Sequence, residues 1–277
     1  MEAARPAEYL LRNDSQELRR LERQGALLAQ PSRILLEQAG IGAGMRVLDL
    51  GTGIGELAFL AAKLVGPEGE VLGVDQSAGA LQVAAQRARA RGLRNVAFEQ
   101  GDVATWEPPA EFDAVIGRLV LIYLQHPAAV IRRHLAALRP GGVYLAMEYD
   151  MAVMRAVPAV PLATRAVDWC RGAFQAAHID IALGTRLGSI LSEAGMPSPS
   201  VLGIQPVLAP SDVLGPANLA GIVSSLAPVI ERAGIAGGEE MRLDTLEQRL
   251  AAEMVQHGAV LMPPTLVGAW ARHGATH

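Results

Sequence analysis

Hydrophobic positions along the first half of the chain form short, continuously apolar runs, most of them separated by longer stretches with helical spacing. The apolar runs cover residues 46–50, 70–75, 96–100, 112–116 and 143–147, and the helical stretches cover 56–65, 77–91 and 127–138. Short runs that are apolar throughout are typical of parallel strands buried on both faces. The pattern therefore predicts an α/β fold with a mostly parallel sheet covered by helices.

The first predicted strand leads directly into a glycine-rich stretch, Asp49–Gly55, and a predicted helix follows it. Such a strand, turn and helix bring backbone N–H groups close to a bound ligand. The third glycine, Gly55, comes one residue earlier than in the dinucleotide fingerprint G-x-G-x-x-G, and Glu56 takes its place. Because the carboxylate of Asp49 would repel a pyrophosphate, the stretch favours a ligand that carries positive charge.

Residues 49–55 resemble motif I of the class I methyltransferases that use S-adenosylmethionine (SAM), a cofactor with a sulfonium, an ammonium and no phosphate. The resemblance is close over residues 45–150. It implies a Rossmann-like sheet of seven mostly parallel strands, with helices on both faces and a helical cap. One antiparallel strand is expected near the C-terminus, over residues 266–272.

The cofactor-binding residues that the resemblance implies lie at or just after strand ends: Asp49, Gly51, Thr52, Gly53, Asp75, Gln76, Asp102, Val103 and Arg118. Asp75 stands 24 residues after Gly51, where a carboxylate accepts hydrogen bonds from ribose hydroxyls. The resemblance assigns the adenine to Asp102 and to the backbone N–H of Val103. Arg118 could bind the SAM carboxylate, bind an anionic substrate, or pair with Glu148.

Two polar residues are candidates for contact with the methyl acceptor, Tyr123 after the fourth strand and Glu148 at the end of the fifth. Both lie among apolar residues, and a buried carboxylate without a partner has a raised pKa, which would make Glu148 a proton acceptor. The alternative is that Glu148 pairs with Arg118 as part of the scaffold. Catalysis would then depend on proximity alone, with the acceptor held in line at ~3–3.5 Å from the methyl carbon.

The sequence predicts a cap segment and a catalytic domain. Residues 1–44 are interpreted as an N-terminal helical cap, and residues 45–277 as the methyltransferase domain, with lid insertions near 151–180 and 209–260. Ordered insertions of this length tend to be functional. Tyr9 and Arg12 are candidates for ligand contact, unless the first helix only packs on the sheet or on a second subunit.

Composition narrows the range of partners. Cys170 is the single cysteine and the first twelve residues lack the apolar core of a signal peptide, so a reducing cytoplasm is expected. No run reaches the ~20 apolar residues of a membrane span. The net charge of −4 and the 4% aromatic content disfavour nucleic-acid binding. The six histidines show no metal-ligand spacing, and His134 is expected to be solvated on the outside of its helix.

These observations lead to one main hypothesis and two alternatives. The main hypothesis is a SAM-dependent methyltransferase acting on O, N or C of a small apolar or aromatic metabolite, with a homodimer left open. One alternative is an oxidoreductase with a nucleotide cofactor. The other is a protein of the same fold that catalyses a non-methylating step, such as a cyclisation, since a fold and its cofactor site do not fix the reaction.

Overall fold

The computed structural model describes residues 15–108 and 111–274, so the predicted ligand contacts of Tyr9 and Arg12 lie outside the described residues. The helices are α1 Ser15–Gln38, α2 Glu56–Val65, α3 Ala78–Ala90, α4 Pro127–Leu135, α5 Pro161–Ala176, α6 Leu183–Glu193, α7 Leu214–Arg232, α8 Gly238–Met241 and α9 Leu246–Gln256. The strands are β1 Arg46–Leu50, β2 Glu70–Asp75, β3 Val96–Gln100, β4 Phe112–Arg118, β5 Leu138–Asp150, β6 Arg155–Val157, β7 Ser200–Ile204, β8 Val260–Met262 and β9 Thr265–Arg272.

Seven of these strands form one sheet in the order β3-β2-β1-β4-β5-β9-β7. The strands β3, β2, β1, β4 and β5 pair in parallel, each with its neighbour. Gly141 and Gly142, near the beginning of β5, form backbone hydrogen bonds with His273, just beyond the end of β9. The start of one strand therefore faces the end of the other, and β9 runs antiparallel to β5. The predicted seven-stranded, mostly parallel sheet is confirmed.

The sheet belongs to a compact unit formed by residues 28–148, 183–203 and 266–274. Its core explains why the strands are apolar along their length: Leu48 of β1, Val115 of β4 and Tyr144 of β5 are buried together with Ile131 of α4 and Leu187 of α6. The helices therefore seal one face of the sheet, and the carboxyl ends of β1, β2, β4 and β5 lie at one edge, as in other parallel sheets of this kind.

A second compact unit contains residues 15–27, 149–182 and 204–265. It is built from α5, α7, α8 and α9 and from an antiparallel ribbon of β6 and β8. Glu253 of α9 accepts hydrogen bonds from the first amides of α5, Leu162 and Ala163, at 2.9–3.2 Å. Both predicted insertions fall in this helical unit. Residues 28–44 belong to the sheet unit, and α1 continues without a break through Pro31.

One helix among the described residues, Leu214–Arg232, is long and apolar enough to cross a membrane by length and composition. In length and apolar composition this helix is nearer to a membrane span than the sequence predicted. Of its apolar window, 56% is buried inside the protein, as in the core helix of a helical unit.

Candidate functional site

The glycine loop after β1 is held in a conformation that other residues rarely adopt. Gly51, Gly53 and Gly55 have φ angles of 66°, 53° and 87°. A Cβ atom on Gly51 would lie 2.3 Å from Cγ2 of Val120, so only glycine fits beneath that side chain, whereas the space beside Gly53 is open. The amide of Thr52 donates to the carbonyl of Val74 at 3.0 Å and ties the loop to β2.

Asp49 is a buried acid whose carboxylate has no hydrogen bond from any described residue. It is 1% exposed, and the hydroxyl of Thr52 nearby is equally without a partner in the described chain. Burial, and to a smaller extent the charge of Asp75, raise the pKa of Asp49 to about 7, although the Thr52 hydroxyl, the Arg118 guanidinium and the backbone amide of Ala58 lower it. The hydroxyl is thus close enough to act on the charge but falls outside hydrogen-bond geometry. A buried carboxylate in this state fits a ligand that brings positive charge.

Asp75, at the end of β2, already has structural partners. One oxygen, Oδ2, accepts from the amide of Gly53 at 2.9 Å, and Oδ1 accepts from the amide of Ser77 at 2.9 Å. Each carboxylate oxygen has a second lone pair, so these bonds leave capacity for ribose hydroxyls. Asp75 therefore shapes the glycine loop as well as being a candidate cofactor ligand. Gln76 next to it is exposed, and its carbonyl accepts from the side-chain amide of Gln100.

The predicted adenine residues lie in a turn after β3. Asp102 is exposed, and its Oδ1 accepts from the amide of Ala104 at 2.9 Å, which forms an Asx turn. Val103 is half-buried and packs against the core. Trp106 covers Gly101, where a Cβ atom would lie 2.4 Å from the indole ring. The contact of this turn with adenine remains a prediction.

Arg118, at the end of β4, donates from Nη1 to the hydroxyl of Ser32 at 2.8 Å. Ser32 lies on α1 and is fully buried. The guanidinium is also close enough to lower the pKa of Asp49. Arg118 is thus directed toward α1 and the end of β1. Ser32 was missed by the sequence reasoning, because no motif marks a serine in the middle of a helix.

Glu148, near the end of β5, is 1% exposed. Its Oε1 accepts from the amides of Val120 and Leu121 at 2.8 and 2.6 Å, and its Oε2 is buried without a hydrogen-bond partner among the described residues. Burial raises the pKa of Glu148 to about 8, although these backbone hydrogen bonds lower it. The expected burial and raised pKa are confirmed. The hydrogen bonds to its carboxylate come from backbone amides and not from Arg118.

The segment that Glu148 binds contains a strained residue. Leu119 has a φ angle of 59°, and its amide donates to the carbonyl of Met147 at 2.8 Å. A single 3₁₀ turn, Leu121–Tyr123, follows. Tyr123 is 37% exposed and follows the apolar residues Leu121 and Ile122 in this turn. Its contact with an acceptor remains a prediction.

The comparisons with known proteins agree with the predicted family. A family model described as a methyltransferase domain matches residues 41–195, a little more than half of the chain. Ubiquinone/menaquinone biosynthesis C-methyltransferase UbiE of Pseudomonas putida is 37% identical over 120 residues, which are 43% of this chain and 47% of that protein. The chain thus spans about half the length of the curated relatives it matches.

Two solved structures show the fold. Coclaurine N-methyltransferase, bound to N-methylheliamine and SAH, superimposes with a TM-score of 0.54 at 16% identity over 88% of this chain and 72% of that one. The [4+2]-cyclase SpnF gives a TM-score of 0.51 at 22% identity over 87% and 80%. Since the second protein is a cyclase, the fold alone does not separate transfer from cyclisation. Within the described ranges, no three His, Cys, Asp or Glu side chains are grouped as metal ligands.

Proposed function

This chain belongs to the class I SAM-dependent methyltransferases, and we propose that it methylates O, N or C of a small apolar or aromatic metabolite. The observation that carries the acceptor class is the segment after β4. Leu119, Val120, Leu121 and Ile122 follow one another there, and Glu148, which reaches this segment from β5, uses its Oε1 to accept from two backbone amides and keeps its Oε2 buried. Such a surface suits an acceptor without charge.

The cofactor supplies a methyl carbon that its sulfonium already makes electrophilic. We assign Asp49 to the positive charge of the cofactor, Asp75 through its spare lone pairs to the ribose, and Asp102 with Val103 to the adenine. Gly51 and Gly53 let the loop backbone approach the cofactor. The Thr52 hydroxyl has no hydrogen-bond partner among the described residues and is available to the cofactor. Arg118, fixed by Ser32, sets the charge balance beside Asp49.

Transfer in this proposal depends on proximity and on exclusion of water. Glu148 reaches an acceptor proton only if its buried Oε2 becomes accessible, since Oε1 already binds two amides. The substitution Glu148→Gln keeps the shape of the side chain. A base role predicts a ~10²–10⁴-fold loss of turnover with cofactor affinity intact, whereas proximity alone predicts turnover within a few-fold of the parent.

Curated relatives support the acceptor class in part. The matched Pseudomonas putida protein is named as a C-methyltransferase of ubiquinone and menaquinone biosynthesis, and the match covers 43% of this chain. Carbon of an electron-rich aromatic ring therefore belongs among the acceptor atoms to be tested, beside phenolic oxygen and amine nitrogen.

The test is a panel of acceptors incubated with trideuteromethyl-labelled SAM and analysed by mass spectrometry. The panel contains hydroquinones, phenols, aromatic amines, and nucleosides and acidic metabolites as charged or polar controls. We expect one labelled methyl group on an uncharged aromatic or apolar acceptor, and loss of the label with Asp49→Asn. Methylation confined to nucleosides or acidic metabolites would contradict the proposal, and a converted product of unchanged mass would indicate cyclisation.

A further inference from the structure

The Val120 side chain packs directly against the glycine loop at Gly51. Its Cγ2 atom lies so close to Gly51 that a methyl group there would meet it at 2.3 Å. Interiors packed this closely transmit a displacement from one group to the next. The position of the loop backbone at Gly51 is therefore set by the position of Val120, which lies 69 residues later in the chain.

Val120 itself is held from β5. Its amide donates to Oε1 of Glu148 at 2.8 Å, and the amide of Leu121 donates to the same oxygen at 2.6 Å. The preceding residue, Leu119, is held by the carbonyl of Met147 at 2.8 Å. Two consecutive residues of β5 thus fix three consecutive residues of the segment after β4.

The conformation of this segment needs such support. A leucine with a φ angle of 59° is strained and persists only where its surroundings determine it. Without the carboxylate of Glu148, the amides of Val120 and Leu121 would lose their acceptor in a water-poor place. The segment would then relax, and the Val120 side chain that packs against the glycine loop would move with it.

We propose that Glu148 is a positioning residue of the cofactor site: its carboxylate fixes the amides of Val120 and Leu121, and the Val120 side chain in turn fixes the glycine loop at Gly51. This role rests on the proposed cofactor site and is independent of the acceptor. Glu148 acts on the cofactor through Val120, the residue that packs against Gly51.

The experiment measures the affinity of the full chain for SAM and for SAH by calorimetry, in Glu148→Ala, Glu148→Gln, Val120→Ala and the double variant E148A/V120A. The loss of an acceptor for two buried amides predicts affinity lower by on the order of tenfold for Glu148→Ala. Val120→Ala should weaken binding in the same direction. The double variant should be no weaker than the weaker single variant, because both act through one contact.

Two controls separate positioning from general destabilisation. Glu148→Gln retains an oxygen that can accept from both amides, so it should restore affinity to within about threefold of the parent. Leu145→Ala removes a fully buried side chain from the opposite face of the same strand, where Leu145 pairs with Ile116 of β4, and should lower the unfolding temperature but not the affinity. Amide hydrogen exchange at Val120 and Leu121 should accelerate in Glu148→Ala only.

The proposal is overturned if folded Glu148→Ala binds SAH as the parent does, if Glu148→Gln is as weak as Glu148→Ala, or if the two single losses add in the double variant. Should Glu148→Ala not fold, Val120→Ala and Glu148→Gln decide the question by the same criteria. A parent that binds SAH but methylates no apolar acceptor would contradict the proposed function and leave this inference standing.

Discussion

Two acids at strand ends on either side of β4 are equally buried and differently used. Asp49 of β1 and Glu148 of β5 flank β4, and each is 1% exposed. Burial raises the pKa of Asp49 to about 7 and that of Glu148 to about 8. The carboxylate of Glu148 accepts from two backbone amides, whereas that of Asp49 accepts from no described group. One oxygen of Glu148 thus holds the backbone of its own chain, whereas both oxygens of Asp49 are left for a ligand.

The largest effect that sharpens this contrast is expected at Asp49. Asn in its place removes the charge that pairs with the cofactor, so the affinity for SAM should fall by roughly 100-fold, which corresponds to a charge-assisted hydrogen bond of ~1.5–3 kcal/mol. The unfolding temperature of the chain without cofactor should not fall, because burial disfavours the charge of Asp49 and raises its pKa to about 7 despite the nearby Thr52 hydroxyl and Arg118 guanidinium. Calorimetry and thermal unfolding measure the two. A variant that is less stable but binds SAM normally would reverse the assignment.

Asp75 holds the backbone of its own chain and is also assigned to the cofactor, so its substitution should lower both stability and cofactor affinity. Asp75→Ala is expected to lose ~1.5–3 kcal/mol of SAM affinity. It should also lose stability, since the amides of Gly53 and Ser77 lose their acceptor. Asp75→Asn, which keeps an oxygen acceptor, serves as the matched control and should recover part of the stability. Unchanged affinity in Asp75→Ala, measured by calorimetry, would remove Asp75 from the cofactor site.

A substitution of Glu148 is expected to affect the stability of the protein more than its cofactor binding. Glu148→Ala leaves the amides of Val120 and Leu121 without their acceptor and should lower the free energy of unfolding by ~1–3 kcal/mol. Denaturant unfolding of Glu148→Ala and Asp49→Ala side by side checks the comparison. Equal losses in the two variants would mean that the hydrogen bonds to Glu148 contribute nothing beyond packing.

A smaller effect should appear in the dependence of stability on pH. The folded pKa of Asp49 is about 7 against an ordinary value of 3.8, so between these values the folded state holds a proton that the unfolded state has released. The stability from this group is present below about pH 4 and is lost as the pH rises through 7. Between pH 6 and 7 the parent should lose about 1 kcal/mol more than Asp49→Asn. Equal slopes in denaturant unfolding would contradict the raised pKa.

The sequence predicted what local pattern determines. The strands β1 and β3 and the helix α2 have the predicted bounds, because continuous apolar runs and glycine turns define them without help from distant residues. The antiparallel β9, which the resemblance placed over residues 266–272, begins one residue earlier at Thr265. The glycine loop with Asp49 at its start could be found in the same way, since both lie within one contiguous stretch.

What the sequence did not predict depends on long-range contacts. His134, expected in solvent, is fully buried; its Nδ1 lies 2.9 Å from the carbonyl of Val130, and burial lowers its pKa. Helical spacing shows which residues lie on the same face of a helix, but it does not show how wide the buried face is. The partners of Glu148 depend on a positive φ angle at Leu119, where no glycine signals the turn. The ribbon of β6 and β8 joins segments about 100 residues apart. Each strand has three residues, which is too short for an alternating pattern to predict it.

The measurement that tests the contrast most directly is the number of protons released when SAM binds. Titration calorimetry at pH 6 in two buffers of different ionisation enthalpy gives this number, because Asp49 must lose its proton to meet a positive ligand. We expect nearly one proton released by the parent and by Glu148→Gln, and close to none by Asp49→Asn. Release that persists in Asp49→Asn, or that disappears in Glu148→Gln, would contradict the assignment of Asp49 to the cofactor and of Glu148 to the chain.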